Sequence, residues 1–374
     1  MTDVAGQEEL DGLRSGVRDF LAAKAGEEHV RRVVDDDSPY DEAVWSRMAD
    51  ELGLQSLALP AEHGGDGYGF VELQVVLEEM GRALLPSAFL TTVVMAGSAL
   101  VASGDAAAQA AYLPAIAAGK STATVAVAEG DGSWATDGLY TTAEHTSDGW
   151  MLTGTKPLVI DGATAEILLV AARTAAGPSL FAVHGDADGV TRRPLRTLDP
   201  TRKIARVTFA RTPAQLVGSE GAAGPVVERV VDLTATALAA EQVGGARACL
   251  EASAAYARDR RQFGRAIGSF QAVKHKCADM LARVELAQAA AVEAAGAAAG
   301  APDSPPLGVT SAVAHVVCSE AYMFVAAENI QVHGGIGFTW EHPAHLYYRR
   351  AKASQLLLGG PAVYHERLLR RLDV

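Results

Sequence analysis

Two glycine-containing segments in the last third of the chain hold the side chains best suited to chemistry. Residues 256–274 read YARDRRQFGRAIGSFQAVK, and residues 331–338 read QVHGGIGF. Arginine can clamp a phosphate oxygen through a charge-assisted hydrogen bond, and an amide can hydrogen-bond to an adenine edge. Glycine lets backbone approach a diphosphate closely. Together the segments suit the diphosphate and the adenine of a flavin dinucleotide.

The first segment combines arginine, glycine and glutamine at a defined spacing. Arg260 precedes Phe263 and Gly264, and Gln271 follows seven residues after Gly264. Taken singly, each of these residues also fits a solvated arginine cluster beside a helix break, and only the complete string is specific. We predict that four side chains of this segment bind the cofactor: Arg260, Gln262, Phe263 and Gln271.

The second segment places paired glycines after a predicted helix. The helix is expected to end near His333, because Gly334 and Gly335 follow it. We predict that Gln331, Gly334 and Gly335 bind the cofactor, although an ordinary helix end with a glycine cap would have the same local sequence. Nearby histidines do not predict a metal site, since no acidic or cysteine ligand pattern accompanies them.

Hydrophobic spacing divides the chain into a helical part, a β-rich part and a second helical part. Apolar residues recur at helical spacing from residue 8 to about 118, and short β-favouring runs occupy 122 to about 215. Helical spacing returns from about 223 and is interrupted by an Ala/Gly/Pro loop at 296–308. We predict an α+β multi-domain protein with domains at 1–119, 120–222 and 223–374.

Composition limits the partners and the compartment. A formal net charge of −13 argues against nucleic acid or an anionic membrane as the main partner. Three cysteines without motif spacing indicate a reducing compartment and fit small buried hydrophobic residues. The acidic N-terminus has no apolar signal core, and no uninterrupted apolar run reaches the length of a membrane span. We therefore expect a soluble cytoplasmic protein.

The two glycine-containing segments, in this order and about 70 residues apart, resemble the two C-terminal signatures of the acyl-CoA dehydrogenase family. The resemblance extends to residues 52–87, which include LGLQSLALPAEHGGDGYG and VVLEEMGRALLPS, and to GWMLTGTKPLVIDGA at 149–163. It implies an N-terminal helical domain, a small β-barrel-like domain and a C-terminal four-helix bundle, assembled as a dimer or tetramer with FAD at a subunit interface.

The resemblance also implies a reaction. In the family, a carboxylate removes the α-proton of an acyl-CoA thioester and the flavin takes the β-hydride, which gives a trans-2-enoyl-CoA. Hydrogen bonds to the thioester carbonyl acidify the α-proton. An electron-transferring flavoprotein is the electron acceptor that the family implies.

The sequence departs from the family at the catalytic base. Laying the family spacing on the chain puts Leu358 where the usual glutamate stands. Some members place the base 26 residues before the arginine of the first signature, and that position is Thr234 here. Neither side chain can accept the proton. Glu241 and Glu228 are second-choice bases, although each is more typical of a helix-surface or capping group.

Two further departures fall in the β-domain. The loop that touches flavin and substrate in the family corresponds to residues 128–133 and lacks its proline, and the stretch after Lys156 has neither the aromatic nor the hydroxyl residue that backs the flavin ring. We hypothesise a base-lacking subunit of a heterotetrameric, steroid-type acyl-CoA dehydrogenase, which clamps the ADP end of FAD with a homologous partner. The alternatives are a homo-oligomer with a relocated base, a non-catalytic acyl-CoA-binding homologue, and a flavin oxidase or monooxygenase on the same fold.

Overall fold

In sequence order, helices precede and follow a β-rich middle part, which confirms the predicted α+β organisation. The computed structural model describes residues 4–36, 38–130, 132–300 and 305–372. Asp131 of the β-domain loop and residues 301–304 of the expected Ala/Gly/Pro loop lie outside the described residues.

The N-terminal part is helical. Its α-helices are α1 (Val4–Lys24), α2 (Glu27–Asp35), α3 (Glu42–Leu52), α4 (Phe70–Arg82), α5 (Gly97–Ser103) and α6 (Ala106–Ala117). Local sequence fixes several ends. The Asp41 carboxylate accepts hydrogen bonds from the first amides of α3, and Gly53 ends that helix in the left-handed conformation. A π-helical segment at Leu90–Ala96, which the sequence did not predict, precedes α5.

The middle part is a closed sheet of seven strands. They are β1 (Ala123–Ala126), β2 (Thr142–Thr146), β3 (Gly149–Ile160), β4 (Ile167–Thr174), β5 (Gly177–His184), β6 (Val190–Pro194) and β7 (Ile204–Val217). The order is β1-β4-β2-β3-β7-β5, and β6 pairs with β7. Because β5 also pairs with β4, the five strands β4, β2, β3, β7 and β5 form a closed ring. The predicted β-barrel-like domain is therefore confirmed. Its interior is apolar and includes Leu152, Phe181 and Phe209.

The C-terminal part is again helical. It contains α7 (Ala223–Asp259), the short strands β8 (Arg261–Gln262) and β9 (Arg265–Ala266), α8 (Gln271–Ala298), α9 (Leu307–His333), α10 (Ala344–Leu356) and α11 (Pro361–Arg371). The 3₁₀ turn Ile267–Ser269 precedes α8, and the 3₁₀ turn Gly334–Phe338 follows α9. The long helices pack through small side chains, because the cluster between α7, α8 and α9 consists of alanines with Val243 and Cys318.

The described residues form two compact units. One comprises the chain up to Arg32, Phe70–Leu85 and the chain from Ala235, and the other comprises Val33–Gly69 and Pro86–Thr234. Within the first unit, α4 and α7 approach so closely that a Cβ on Gly244 would lie 1.8 Å from the Glu78 carbonyl oxygen. Only glycine fits that helix crossing. Cys249 and Cys318 are buried, as predicted, whereas Cys277 is partly exposed.

One helical stretch within the described residues is long and apolar enough to cross a membrane by length and composition. This stretch is Leu307–Phe338, and its most apolar 18-residue window has a mean hydropathy of 1.4. Of its most apolar window, 61% is buried inside the protein. A mostly buried core helix passes the same test, so the stretch is weak support for a membrane span.

Candidate functional site

A tight hairpin presents the first glycine-containing segment. After α7 ends, Arg261 pairs with Ala266 and Gln262 with Arg265, which leaves Phe263 and Gly264 as a two-residue turn. Both turn residues have positive φ, 54° and 79°, as a type I′ hairpin turn requires. Glycine adopts this conformation freely, but phenylalanine does not. The Phe263 side chain is 91% exposed, so the strained turn holds an aromatic ring in solvent.

Backbone hydrogen bonds fix the base of this hairpin. The Arg260 amide donates to the Tyr256 carbonyl at 2.8 Å, and the Arg260 carbonyl accepts from the Ile267 amide at 2.8 Å. The side chains of Arg260 and Gln262 are exposed. Gln271 is the first residue of α8, and its amide nitrogen lies 2.7 Å from Nε2 of His275. The four predicted side chains of this segment therefore lie on an exposed surface of one compact unit.

The second segment contains the end of α9, at the residue where the sequence predicted it. α9 ends at His333, and Gly334 caps it with φ 65°. A Cβ placed on Gly334 or on Gly335 would meet nothing within 4 Å, so both glycines border open space. Gln331 is exposed, one turn before the glycines. An aromatic residue, Phe338, ends the following turn and is 82% exposed.

Side-chain contacts between α7 and α9 bring the two segments together. The rings of Tyr256 and His333 lie 4.4 Å apart, centroid to centroid. Nδ1 of His333 donates to the Asn329 carbonyl at 2.8 Å, and the buried Ser253 hydroxyl lies 2.8 Å from Oδ1 of Asn329. These buried contacts fix the relative position of the hairpin and the glycine turn.

The donor set of these two segments fits the ADP end of FAD. Arg260 offers a guanidinium and the exposed glutamines offer amides, which are the groups that recognise phosphate and a base edge. The space beside Gly334 and Gly335 is where backbone could face a diphosphate, and any side chain there would fill it. Phe263 and Phe338 add exposed apolar surface beside the same segments.

The position of the family base is apolar and buried. Leu358 is 5% exposed and has φ 63°, which is unusual for leucine. Nε2 of His315, on α9, lies 3.2 Å from the Gly359 carbonyl oxygen, and the His315 ring stacks on Tyr364 of α11 with centroids 3.8 Å apart. Helices α9 and α11 thus hold the turn at residues 358–359 with no carboxylate at position 358.

The imidazole beneath this turn makes stability depend on pH. Burial lowers the pKa of His315 from 6.5 to about 4, so the folded protein binds fewer protons than the unfolded chain between these values. The stabilisation is complete above pH 6.5 and is lost as pH falls toward 4. Urea unfolding between pH 4 and 8 should show this loss. His315→Phe, which keeps a stacked ring, should flatten the profile in that window, and an unchanged profile would contradict the assignment.

The other candidate bases have different surroundings. The Thr234 side chain is buried, and its hydroxyl donates to the Val230 carbonyl at 2.6 Å. Glu241 lies 3.6 Å from Nη1 of the buried Arg350, so its carboxylate belongs to an ion pair. Glu228 is exposed on the first half of α7.

A buried ion pair in the β-domain went unnoticed in the sequence. Nζ of Lys156, on β3, lies 2.7 Å from Oε1 of Glu129 and 3.0 Å from the Val127 carbonyl oxygen. Burial lowers the pKa of Lys156 to about 8. Burial alone would raise the pKa of Glu129, but hydrogen bonds from Lys156 and from the 140–141 backbone outweigh it and lower the pKa. The sequence feature that could have indicated this ion pair is a lysine within a run of apolar strand residues.

The three histidines near the glycine turn lie close to one another. His333 and His342 have ring centroids 4.3 Å apart, and His345 contacts Trp340 at 4.6 Å. Across the part of the chain that the structure describes, no group of three or more His, Cys, Asp or Glu could hold a metal ion. Ring packing accounts for these histidines.

Family models cover nearly the whole chain. The acyl-CoA dehydrogenase N-terminal domain matches residues 7–120, the middle domain matches 124–211, and the C-terminal domain matches 207–372. The three matches follow the helical, β and helical order of the fold.

Individual relatives agree. Acyl-CoA dehydrogenase IpdE2 of Mycobacterium tuberculosis is 35% identical over 98% of this chain and 96% of its own length. A variant of the Tcur3481-Tcur3483 steroid ACAD has a TM-score of 0.87 at 34% identity, with 98% of both chains covered. The ChsE4-ChsE5 complex from Mycobacterium tuberculosis has a TM-score of 0.89 at 30% identity over 100% of this chain and 98% of the other. These matches show that the chain belongs to the acyl-CoA dehydrogenase family.

Proposed function

We propose that this chain is the subunit of a heteromeric acyl-CoA dehydrogenase that binds the ADP end of FAD and does not supply the catalytic base. The observation that carries the proposal is the contrast between two places in one compact unit. The hairpin and the glycine turn present Arg260, Gln271 and Gly334 to solvent, while Leu358 is buried at the family base position. The likeness to a steroid ACAD and to the ChsE4-ChsE5 complex supports a steroid-type heteromer.

In this proposal each residue of the nucleotide clamp, which comprises the predicted cofactor-binding residues of the two segments, has one role. The Arg260 guanidinium binds a phosphate oxygen, the amides of Gln262, Gln271 and Gln331 hydrogen-bond to the nucleotide, and Phe263 packs against it. Gly334 and Gly335 leave room for the diphosphate. When bound, FAD supplies the acceptor for the β-hydride. The α-proton goes to a carboxylate of a homologous partner, because Leu358 and Thr234 cannot accept it.

Further parts of the proposal follow from the family. The substrate is an acyl-CoA thioester, and an electron-transferring flavoprotein reoxidises the flavin. The assembly is a heterotetramer in the cytoplasm. The domain division at 1–119, 120–222 and 223–374 remains our proposal, and the N-terminal family match, which ends at residue 120, supports its first boundary.

Co-expression with a homologous chain that carries a glutamate at the usual base position tests the proposal. The purified complex should contain FAD, show the flavin absorption band and oxidise an acyl-CoA. The present chain purified alone should show none of these three properties. Stoichiometric FAD together with acyl-CoA oxidation by this chain alone would reject the proposal.

One variant, together with the flavin content and the products of the same complex, separates the alternatives. Glu241→Gln should leave turnover per bound FAD unchanged, because Glu241 pairs with Arg350 and takes no proton. Abolished turnover with FAD still bound would instead favour a relocated base. A stable complex without a flavin band would favour a non-catalytic homologue, and hydrogen peroxide or an oxygenated product would favour an oxidase or a monooxygenase.

A further inference from the structure

An arginine far away in the sequence holds the turn that follows the paired glycines. Arg31, on α2, donates through Nη1 to the Trp340 carbonyl at 2.5 Å and through Nη2 to the Glu341 carbonyl at 3.2 Å. Its Nε donates to Oε1 of Glu27 at 2.8 Å. One guanidinium therefore binds two consecutive backbone carbonyls while a carboxylate one helical turn away orients it.

The held residues continue directly from the glycine turn. The Thr339 amide and hydroxyl both donate to the Ile336 carbonyl, at 3.0 and 2.8 Å. The Trp340 ring contacts both the Arg349 guanidinium and the His345 ring, each at 4.6 Å from its centroid. Residues 339–343 connect the Gly334–Phe338 turn to α10. A displacement of residues 339–341 within this connection would move the glycine turn.

Packing fixes α2 in the place from which Arg31 reaches the turn. Val30, the neighbour of Arg31, packs with Leu84 and Leu346 in a buried cluster. Tyr347, on α10, packs against this cluster and donates to the Arg82 carbonyl at 2.7 Å. Because Arg31 follows Val30 on the same helix, its guanidinium starts from a rigid backbone.

We propose that Arg31 is a positioning residue for the diphosphate-binding turn, and this inference rests on the proposed function. Its role is geometric, because the Glu27 carboxylate offsets its charge and its other bonds go to carbonyl groups. Arg31 therefore sets the position of Gly334 and Gly335 without attracting the phosphate. Loss of Arg31 should weaken FAD binding without changing how that binding depends on salt, whereas loss of a phosphate-binding arginine should reduce the salt dependence.

The chain offers a matched control. Arg47, on α3, pairs with Glu51 four residues away and is also partly exposed, but it lies in the other compact unit. Arg31→Gln, Arg31→Lys and Arg47→Gln should be compared as full chains by hydrogen exchange, and as complexes with the partner by FAD titration at two salt concentrations. Arg31→Gln should speed exchange of the 335–341 amides and raise the FAD dissociation constant about tenfold. Arg31→Lys should recover part of both losses, and Arg47→Gln should change neither.

The outcomes separate this inference from the proposed function. Equal exchange at 335–341 in Arg31→Gln and Arg47→Gln would overturn the inference, as would faster exchange with unchanged FAD affinity. A reduced salt dependence in Arg31→Gln would also overturn it, because it would give Arg31 an electrostatic role. Absence of FAD from the wild-type complex would reject the proposed function, and the inference with it.

Discussion

Replacement of Lys156 with methionine is expected to lower the free energy of unfolding by about 3–5 kcal/mol. Methionine has a similar length, but it leaves the Glu129 carboxylate buried without its cation. Glu129 would keep the backbone amides of Tyr140 and Thr141 as donors, which do not replace a cation. Urea unfolding at neutral pH, followed by circular dichroism, measures the loss. The loop from Glu129 to Tyr140 should also exchange its amides faster.

A second variant isolates the cause of this loss. The double variant Lys156→Met/Glu129→Gln carries no charge at either position. A well-packed neutral pair can equal or exceed an ion pair in its contribution to stability. The double variant should therefore recover at least half of the lost stability. If it is as unstable as Lys156→Met alone, packing around the lysine stem is the cause instead of the unpaired carboxylate.

Replacement of Arg260 with alanine is expected to raise the FAD dissociation constant of the heteromeric complex roughly 100-fold. The proposed contact is a charge-assisted hydrogen bond to phosphate, which ranks among the strongest single contacts a side chain makes. Equilibrium titration of the apo-complex with FAD measures the change. The salt dependence of binding should fall as well, since one cation at the phosphate is removed.

Arg258 provides the control for this experiment. It lies two residues before Arg260, in the last turn of α7, and is likewise exposed. Arg258→Ala changes the net charge by the same amount but leaves the proposed clamp intact, so FAD affinity should change less than threefold. Equal losses in both variants would show that the general positive charge of the cluster matters, and not a specific contact of Arg260.

Short-range patterns in the sequence were enough to predict much of the fold and the location of the candidate site. The end of α9 at His333 followed from Gly334 and Gly335, and the strand runs followed from β-favouring residues between turns. The absence of a base stays a prediction, which rests on Leu358 at the position that the family resemblance gives to the base. The hairpin of residues 261–266 was expected only as a helix break around Gly264.

Long-range pairings were not predictable in the same way. Arg31 contacts Trp340 across 309 positions, and nothing in the local sequence of α2 indicates which carbonyls its guanidinium reaches. Lys156 and Glu129 are 27 positions apart, and their pairing depends on how β3 lies relative to the loop after β1. The π-helical segment at Leu90–Ala96 arises in a fully buried run, where tertiary packing overrides local preference.

The exposed ring of Phe263 bears on the production and assembly of the protein in the cell. Its left-handed backbone costs on the order of 1 kcal/mol, and its ring gains no compensating burial in the single chain. Under the proposed function, a copy without its partner therefore exposes the apolar rings of Phe263 and Phe338, and we expect it to self-associate more readily than the complex. The proposed function therefore predicts that this chain is produced together with its partner subunit, for instance from adjacent genes.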